Sequence, residues 1–337
     1  MKRRTKRARR WAVAALWAAV ILGICLVWLW WALAVPVGNG PAQRIEITRG
    51  ISARFVGRRM AERGLVRSGA AFALAAVCRG KWTGVREGVY DINPAMNAIQ
   101  ILKRLERGLT ATEKVTIPEG FAAWQIAGIL EEKGLAGAEE FMQLAQNGDM
   151  FKTAFPKPAK LEGYLFPDTY LVPMRPGAAS TLISMMLARF QNVVWEGLLR
   201  RQPPAGLSLH QLVTLASLVE GEAKVDEERP IIAGVLLNRL RLGKELECDA
   251  SIQYILGPQR KSRLLWSDTR LDSPYNTYLH AGLPPGPIDN PGRASIEASL
   301  HPANTPYLYY VASDNGRHIF SRTLEEHQRA VRQVRSK

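Results

Sequence analysis

The first 35 residues constrain this chain most strongly. MKRRTKRARR carries seven Lys/Arg and no acid, and an uncharged apolar run of 25 residues follows from Trp11 to Val35. A helix rises about 1.5 Å per residue, so this run is long enough to cross a hydrocarbon core of roughly 30 Å. Positive charge favours the cytoplasmic side of a membrane. We therefore expect a cytoplasmic segment at 1–10, a single inner-membrane anchor at 11–35 and an extracytoplasmic remainder.

A cleaved signal peptide is the alternative interpretation of the same run. Ala32-Leu33-Ala34 fits the small-residue pattern of a signal-peptide cleavage site. However, the run is about twice as long as a usual signal-peptide core, and no polar stretch separates it from the Ala pair. Both features favour an uncleaved anchor.

The charge of the chain limits the class of binding partner, and its cysteine content limits the number of disulfide bonds. The formal charge is +15, and the first ten residues supply seven of the positive charges. A basic domain placed outside the cytoplasm favours an anionic envelope polymer or lipid surface over nucleic acid. Three cysteines give no disulfide framework, and we expect Cys78 and Cys248 to be buried free thiols.

The segment after the turn-rich linker at 36–42 predicts a small α+β unit. Its five expected elements are a strand at RIEIT, helices at 52–63 and 69–78, a strand at GVREGVYDI (84–92) and a helix at 96–107. Sliding the chain by 70 residues aligns Ile47, Gly50, Gly64 and Leu65 with Ile117, Gly120, Gly134 and Leu135. This indicates a repeated strand, Gly turn and helix, although any Gly-capped strand–turn–helix would match comparably.

The rest of the chain mixes helices with long loops. LEGYLFPDTY (161–170) reads as a structured loop whose aromatics pack inward or, alternatively, bind sugar. Ser208 and Gln211 have the spacing of a capping box at the start of a helix. The further predictions are helices at 207–224, 231–242, 249–254 and 324–334, a proline-rich loop at 273–292, and a hairpin with its turn at DNGR.

Several chemistries are absent from the sequence. The five histidines show no metal-ligand spacing, and there is no C-x-x-C, no G-x-S-x-G nucleophile elbow and no phosphate-binding glycine loop. We therefore expect no metal and no cofactor. The remaining candidate chemistry is acid–base catalysis by the carboxyl groups of Asp or Glu side chains.

The stretch LASLVEGEAK places one glutamate unusually. At about 100° per residue Glu220 falls inside the apolar arc of its helix, between Ala216 and Val213. A carboxylate held there loses solvation, which makes Glu220 a candidate proton donor near neutral pH. A buried ion pair with Arg239 or Arg241 on the following helix is the competing interpretation.

Six long segments then occur in a fixed order. They are IPEGFAAWQIAGIL, EGYLFPDTY, LASLVEGEAK, NRLRLGKELECDASIQYILG, SPYNTYLHAGLPPGPIDNPG and HPANTPYLYYVA. Together they resemble the YceG-like family of endolytic murein transglycosylases, from about Ile45 to the end of the chain. The family's commoner V-E-K-E pattern is replaced here by V-E-G-E, with Gly221 following Glu220.

The resemblance implies an α+β fold with a LysM-like subdomain at 44–110 and a catalytic domain at 111–337. It also implies that Glu220 is the catalytic glutamate. The positions that it implies for the substrate cleft are Asp249, Gln253, Asn276, Tyr278 and, more weakly, Glu162. From the residues alone Asp249 could instead cap a helix, and Asn276 could instead form a turn.

The function implied is cleavage of peptidoglycan strands between N-acetylmuramic acid and N-acetylglucosamine, leaving 1,6-anhydro ends. Cell-wall synthases are the protein partners that the family suggests. Two alternatives remain: a non-catalytic peptidoglycan-binding scaffold, and a hydrolytic muramidase. The muramidase would need a second carboxylate, such as Glu162 or Asp249.

Overall fold

The structure, a computed structural model, describes residues 2–79, 86–200 and 206–336, with side chains from residue 10 onward. The chain divides into two compact units. The first comprises Met1–Glu113 and Pro173–Pro176, and the second comprises Lys114–Val172 and Gly177–Lys337. Both units contain helices and short strands that pair two by two, so the predicted α+β class is confirmed.

The N-terminal helix α1 (Lys2–Ala34) contains the predicted apolar run. Its stretch Arg10–Ala34 has a mean hydropathy of 2.6 and is long enough to cross a membrane by length and composition, a test that a signal sequence also passes. Leu33 packs on the core of the first unit, and the Arg67 guanidinium lies 4.4 Å from the Trp31 ring centroid. The end of α1 is therefore tied to that unit.

The remainder of the first unit follows the predicted order closely. Its elements are β1 (Gln43–Ile47), α2 (Ala53–Glu62), α3 (Gly69–Cys78), β2 (Gly88–Ile92) and α4 (Ala98–Arg107), and β1 pairs with β2 antiparallel. Helix α4 begins two residues later than predicted because Asn97 is its N-cap, in a capping box with Gln100. Residues 84 and 85 of the predicted second strand lie outside the described residues. Cys78 is exposed, so the prediction of a buried thiol is wrong there, whereas Cys248 is buried.

The chain then continues through a second set of elements. They are β3 (Thr112–Thr116), α5 (Ala123–Glu132), α6 (Ala138–Gln146), β4 (Thr169–Pro173), α7 (Ala178–Phe190) with a π-helical continuation (Gln191–Leu199), α8 (Leu209–Glu222), α9 (Arg229–Arg241), α10 (Asp249–Leu256), α11 (Arg293–Leu300), β5 (Tyr309–Ala312), β6 (His318–Ser321) and α12 (Leu324–Arg335). The capping box of α8 and the β5–β6 hairpin are confirmed. Tyr164, Phe166 and Tyr170 are buried, as expected of the 161–170 loop.

The 70-residue repeat appears in the structure as a recurring glycine turn and helix. Helix α5 occupies the positions of α2 displaced by 70 residues, and both helices follow a glycine with positive φ, Gly50 (81°) and Gly120 (72°). Gly64 and Gly134 end the two helices with φ values of 65° and 63°. Only glycine adopts such angles without steric cost, so the repeated glycines fix the repeated turns.

Helix α8 is the centre of the second unit. Every residue from Leu212 to Val219 is buried, because α9, α10 and α11 all pack against it. A helix that is apolar on all sides is a core helix. Any polar side chain at its C-terminal end is therefore placed inside the protein rather than on its surface.

Candidate active site

Glu220 is the first acidic residue after the buried stretch of α8. Its side chain is only 8% exposed, which confirms the inward placement predicted from helical phase. Oε1 lies 3.2 Å from Arg229 Nη1, while Oε2 accepts hydrogen bonds from the Gly292 N–H at 3.0 Å and from the Ser295 hydroxyl at 2.7 Å. Both carboxylate oxygens are thus held by fixed donors.

The ion-pair partner differs from the predicted one. Arg239 donates to the Glu245 carbonyl and pairs with Glu247, and Arg241 donates to Asn238. Arg229 reaches Glu220 instead, because it starts α9 just ahead of Pro230 and lies only a short loop beyond the end of α8. The expected buried ion pair is therefore confirmed, but the partners suggested for it, Arg239 and Arg241, are wrong.

Arg229 and Ser295 form one network with Glu220. Arg229 Nη1 donates to the Ser295 hydroxyl at 2.6 Å, and that hydroxyl donates in turn to Glu220. Arg229 Nε also donates to Asp226 at 3.0 Å. Charge-assisted hydrogen bonds of this kind are stronger than neutral ones, so the network fixes the orientation of the Glu220 carboxylate.

Helix α11 supplies the remaining donors from its N-terminus. Gly292 is its N-cap, and Ser295 stands in its first turn. The N-terminal end of a helix favours negative charge, which suits the position of Glu220. A side chain at Gly292 would overlap the Glu119 carboxylate. The Glu119 carboxylate therefore lies directly against the Gly292 backbone, whose N–H group donates to Glu220.

Three further carboxyl groups belong to this region: Glu119 and Asp289 lie near Glu220, and Glu162 lies near Asp289. Burial raises the pKa of Glu162 to about 7, against hydrogen bonds from the Ala123 N–H and the Asn290 amide. Burial also raises the pKa of Glu119, and the charge of Glu220 adds to that shift. The sequence did not mark Glu119 or Asp289 as site residues, although Glu119 directly precedes Gly120 and Asp289 directly precedes Asn290 inside two of the six quoted segments.

Asn290 holds the loops of this site together. Its Oδ1 accepts from the N–H groups of Gly163 and Leu165, both at 2.9 Å. Its Nδ2 donates to the Phe121 carbonyl at 2.8 Å and to Glu162 at 2.9 Å. A fully buried amide that makes all four bonds fixes where Glu162 sits.

The second glutamate of the motif, Glu222, enters a different environment. Its Oε1 accepts from the Ala250 N–H at 3.0 Å, and the Tyr310 hydroxyl also donates to it. Burial raises the pKa of Glu222 to about 7, and the charge of Asp249 contributes to the increase. Glu222 therefore serves the N-terminus of α10.

That contact corrects the cap interpretation of Asp249. Cys248 is the N-cap residue of α10 without a side-chain hydrogen bond, and Asp249 is the first helical residue. Asp249 Oδ1 instead accepts a 2.6 Å hydrogen bond from the Tyr278 hydroxyl. The structure thus brings two predicted cleft residues, Asp249 and Tyr278, into direct contact.

Gln253 and Asn276 stabilise loop backbone. The Gln253 amide donates to the Lys261 carbonyl at 2.7 Å and accepts from the Lys261 N–H at 3.1 Å. Asn276 is fully buried, donates to the carbonyls of Thr269 and Leu271, and accepts from the Tyr278 N–H. These contacts are those of the turn-forming role considered for Asn276.

Gly221 has a packing role in this chain. A Cβ atom at Gly221 would lie 2.5 Å from the Ala250 Cβ, so the missing side chain lets α10 approach α8 closely. The helix continues through Gly221 to Glu222 without interruption. Among the described residues, no group of three or more His, Cys, Asp or Glu is arranged to hold a metal ion.

The chain as a whole is similar to proteins of one known family. Residues 45–333 match the YceG-like family. A Bacillus subtilis (strain 168) protein named endolytic murein transglycosylase is 33% identical over 304 residues, covering 85% of this chain and 83% of that protein. A Streptococcus pneumoniae (strain R6) protein of the same name is 31% identical, with 85% of this chain and 57% of that protein covered. The crystal structure of a yceG-like protein from Listeria monocytogenes superposes with a TM-score of 0.56 at 31% identity, covering 86% and 98% of the two chains. The chain belongs to the YceG-like family.

Proposed function

We propose that this protein is an endolytic murein transglycosylase, which cuts peptidoglycan strands internally. The observation that carries the proposal is the match over 85% of the chain to a relative of that name, a match at 33% identity. The substrate is then the glycan strand, cut between N-acetylmuramic acid and N-acetylglucosamine. The α1 helix, as a single-pass anchor, would hold the enzyme at the membrane with residues 44–337 outside the cytoplasm.

Glu220 is the proposed catalytic residue. A glycosidase that uses water needs two carboxylates, because one must activate water or attack the sugar. A transglycosylase uses the C6 hydroxyl of the muramyl unit as its nucleophile, and that group is already tethered to the reacting sugar. Intramolecular attack of this kind replaces a second catalytic group by proximity.

The contacts of Glu220 support its place in this reaction. In the first half of the reaction protonated Glu220 donates its proton to the glycosidic oxygen, which keeps the electron pair as its bond to C1 breaks. In the second half the Glu220 carboxylate accepts the proton of the C6 hydroxyl while that oxygen bonds to C1. Arg229, Ser295 and Gly292 hold the carboxylate in one orientation throughout, so little reorganisation accompanies the proton transfers.

The remaining assignments belong to the same proposal. Residues 44–110 form a LysM-like glycan-binding subdomain, and residues 111–337 form the catalytic domain. Asp249, Tyr278, Gln253 and Glu162 line the substrate cleft, and the fully buried Asn276 supports it by holding the loop that carries Tyr278. Cell-wall synthases are the expected protein partners.

Product analysis in heavy-oxygen water tests the proposal. The full chain is incubated with isolated peptidoglycan in H₂¹⁸O, and the released glycans are analysed by mass spectrometry. A transglycosylase yields 1,6-anhydromuramyl ends without label, because no water enters the product. Labelled reducing ends as the main product would establish a hydrolytic muramidase instead, and unchanged glycan would favour a binding scaffold.

A further inference from the structure

Asp289 is a buried acid to which the mechanism above gives no role. It lies in the loop that precedes α11 and is only 3% exposed. Its Oδ1 is fully buried and has no hydrogen-bond partner within the described part of the chain. A buried carboxylate without a donor is strongly unfavourable, whereas a protonated carboxylic acid is tolerated. The surroundings of Asp289 therefore favour the form that carries a proton.

Two glycines place Asp289 beside Glu220. A Cβ atom at Gly120 would lie 3.3 Å from Glu220 Cγ and 3.9 Å from Asp289 Oδ2. A Cβ atom at Gly221 would lie 3.7 Å from the same Asp289 oxygen. Both acidic side chains therefore approach the same glycine, Gly120, and no side chain at that position separates them.

The charges that face Asp289 come from four elements. Glu220 on α8 and Glu162 in the 161–168 loop are negative, while Arg229 on α9 and Arg260 after α10 are positive. Burial is the largest cause that raises the pKa of Asp289 well above its usual range, the two glutamates raise it further, and the two arginines oppose them. Because Arg229 is already bound to Glu220, Asp226 and Ser295, it is not available as a direct partner for Asp289.

We infer that Asp289 is a positioning residue that stores the proton used by Glu220. The inference rests on the proposed function and deepens it. Glu220 is surrounded by donors and receives no proton from them, whereas Asp289 carries a proton and lies next to it. Both side chains approach Gly120, so Asp289 is placed to pass its proton to Glu220.

The cycle balances without a cofactor. The proton moves from the Asp289 carboxyl group to Glu220 and on to the glycosidic oxygen, which keeps the electron pair of the breaking bond to C1. The C6 hydroxyl oxygen forms the new bond to C1 and releases its proton to the Glu220 carboxylate. That proton returns to Asp289, so no water and no net proton are consumed.

Asp289→Asn tests the inference, because the amide keeps the shape and neutrality of the acid but has no proton to give. We expect kcat at pH 7 to 8 to fall roughly tenfold or more, with KM unchanged. The pH optimum should move to lower pH, because Glu220 must then take its proton from solvent. Asp289→Glu should restore part of kcat. Asp314→Asn, in the exposed hairpin turn, is the matched control and should change neither quantity.

The possible results distinguish failure of the inference about Asp289 from failure of the proposed transglycosylase function. If Asp289→Asn keeps the wild-type kcat and pH profile, Asp289 has no such role. If kcat falls by the same factor at every pH and the unfolding temperature falls with it, the residue is only structural and the inference is again wrong. Wild-type protein that releases no 1,6-anhydromuramyl ends would instead refute the proposed function. Release of such ends by the wild type, with a shifted profile for Asp289→Asn, supports both.

Discussion

Glu220 and Glu222 stand two residues apart at the end of one helix and enter opposite kinds of environment. Glu220 contacts the guanidinium of Arg229 on α9, and it accepts hydrogen bonds from a hydroxyl and a backbone N–H group at the start of α11. Glu222 meets the N–H of Ala250 and a phenol, with a second acid, Asp249, nearby. Burial alone therefore does not distinguish the proposed catalytic residue, Glu220, from Glu222. The number and charge of the donors around each carboxylate distinguish them.

The largest effect is expected from breaking the ion pair at Glu220. Arg229→Met removes the buried positive charge and leaves Glu220 close to two other acids, Glu119 and Asp289. Loss of one partner of a buried pair costs about 3–5 kcal/mol, so the free energy of unfolding should fall by that amount in chemical denaturation. Arg293→Met removes a surface i,i+4 pair with Glu297 and should cost less than about 1 kcal/mol. Equal losses in the two variants would contradict the buried role of Arg229.

The next effect separates the two glutamates by activity. Glu220→Gln retains the shape of the side chain but removes the transferable proton, so kcat should fall by about 10² or more while KM is preserved. Arg229 keeps Asp226 and Ser295 as partners in this variant, so the variant should stay folded and lose less stability than Arg229→Met. Glu222→Gln, the matched control, should retain kcat within a few-fold. The measurement is the rate of release of anhydromuramyl ends. If the Glu222 variant were the inactive one, the proposed roles of the two residues would be exchanged.

Local sequence signals predicted the elements that carry these glutamates. The capping spacing of Ser208 and Gln211 and the apolar phase of α8 gave the helix and the inward direction of Glu220. Those signals are contained within one helix. Pro230 likewise marked the start of α9, and Asn315-Gly316 marked the hairpin turn.

The partners of Glu220 could not be predicted in the same way. Gly292 and Ser295 are separated from Glu220 by more than 70 residues, and helix α11 has only eight residues and follows a proline-rich loop. Periodicity in a short helix is weak, and helical phase gives a direction but no partner. The alternative cap role of Asp249 stayed open for the same reason, because nothing local shows that Glu222 already occupies that N-terminus.

The pH dependence of stability gives a smaller difference between the glutamates. The pKa of Glu222 is about 7 in the folded protein and 4.5 in its ordinary environment. The unfolded chain therefore loses this proton first, and the contribution of Glu222 to stability falls as pH rises from about 4.5 to about 7, then stays constant. Relative to Glu222→Gln, the wild type should lose on the order of 1–3 kcal/mol across that window. Unfolding free energies measured from pH 4 to pH 8 check this, and a difference that does not vary with pH would contradict it.

The smallest effect concerns the contact between Tyr278 and Asp249. Tyr278→Phe removes the hydroxyl that donates to Asp249 at 2.6 Å, and the net loss of one hydrogen bond of this kind should lower the unfolding free energy by about 1 kcal/mol. If the pair lines the substrate cleft, KM should rise a few-fold while kcat is retained, because the contact acts on bound substrate and transition state alike. Tyr310→Phe is the matched variant, since it removes a phenol donor from Glu222 on the structural side of the comparison. The KM of Tyr310→Phe should stay at the wild-type value. A rise in KM for Tyr310→Phe but not for Tyr278→Phe would indicate that the substrate cleft is formed by the residues around Glu222 and not by Asp249.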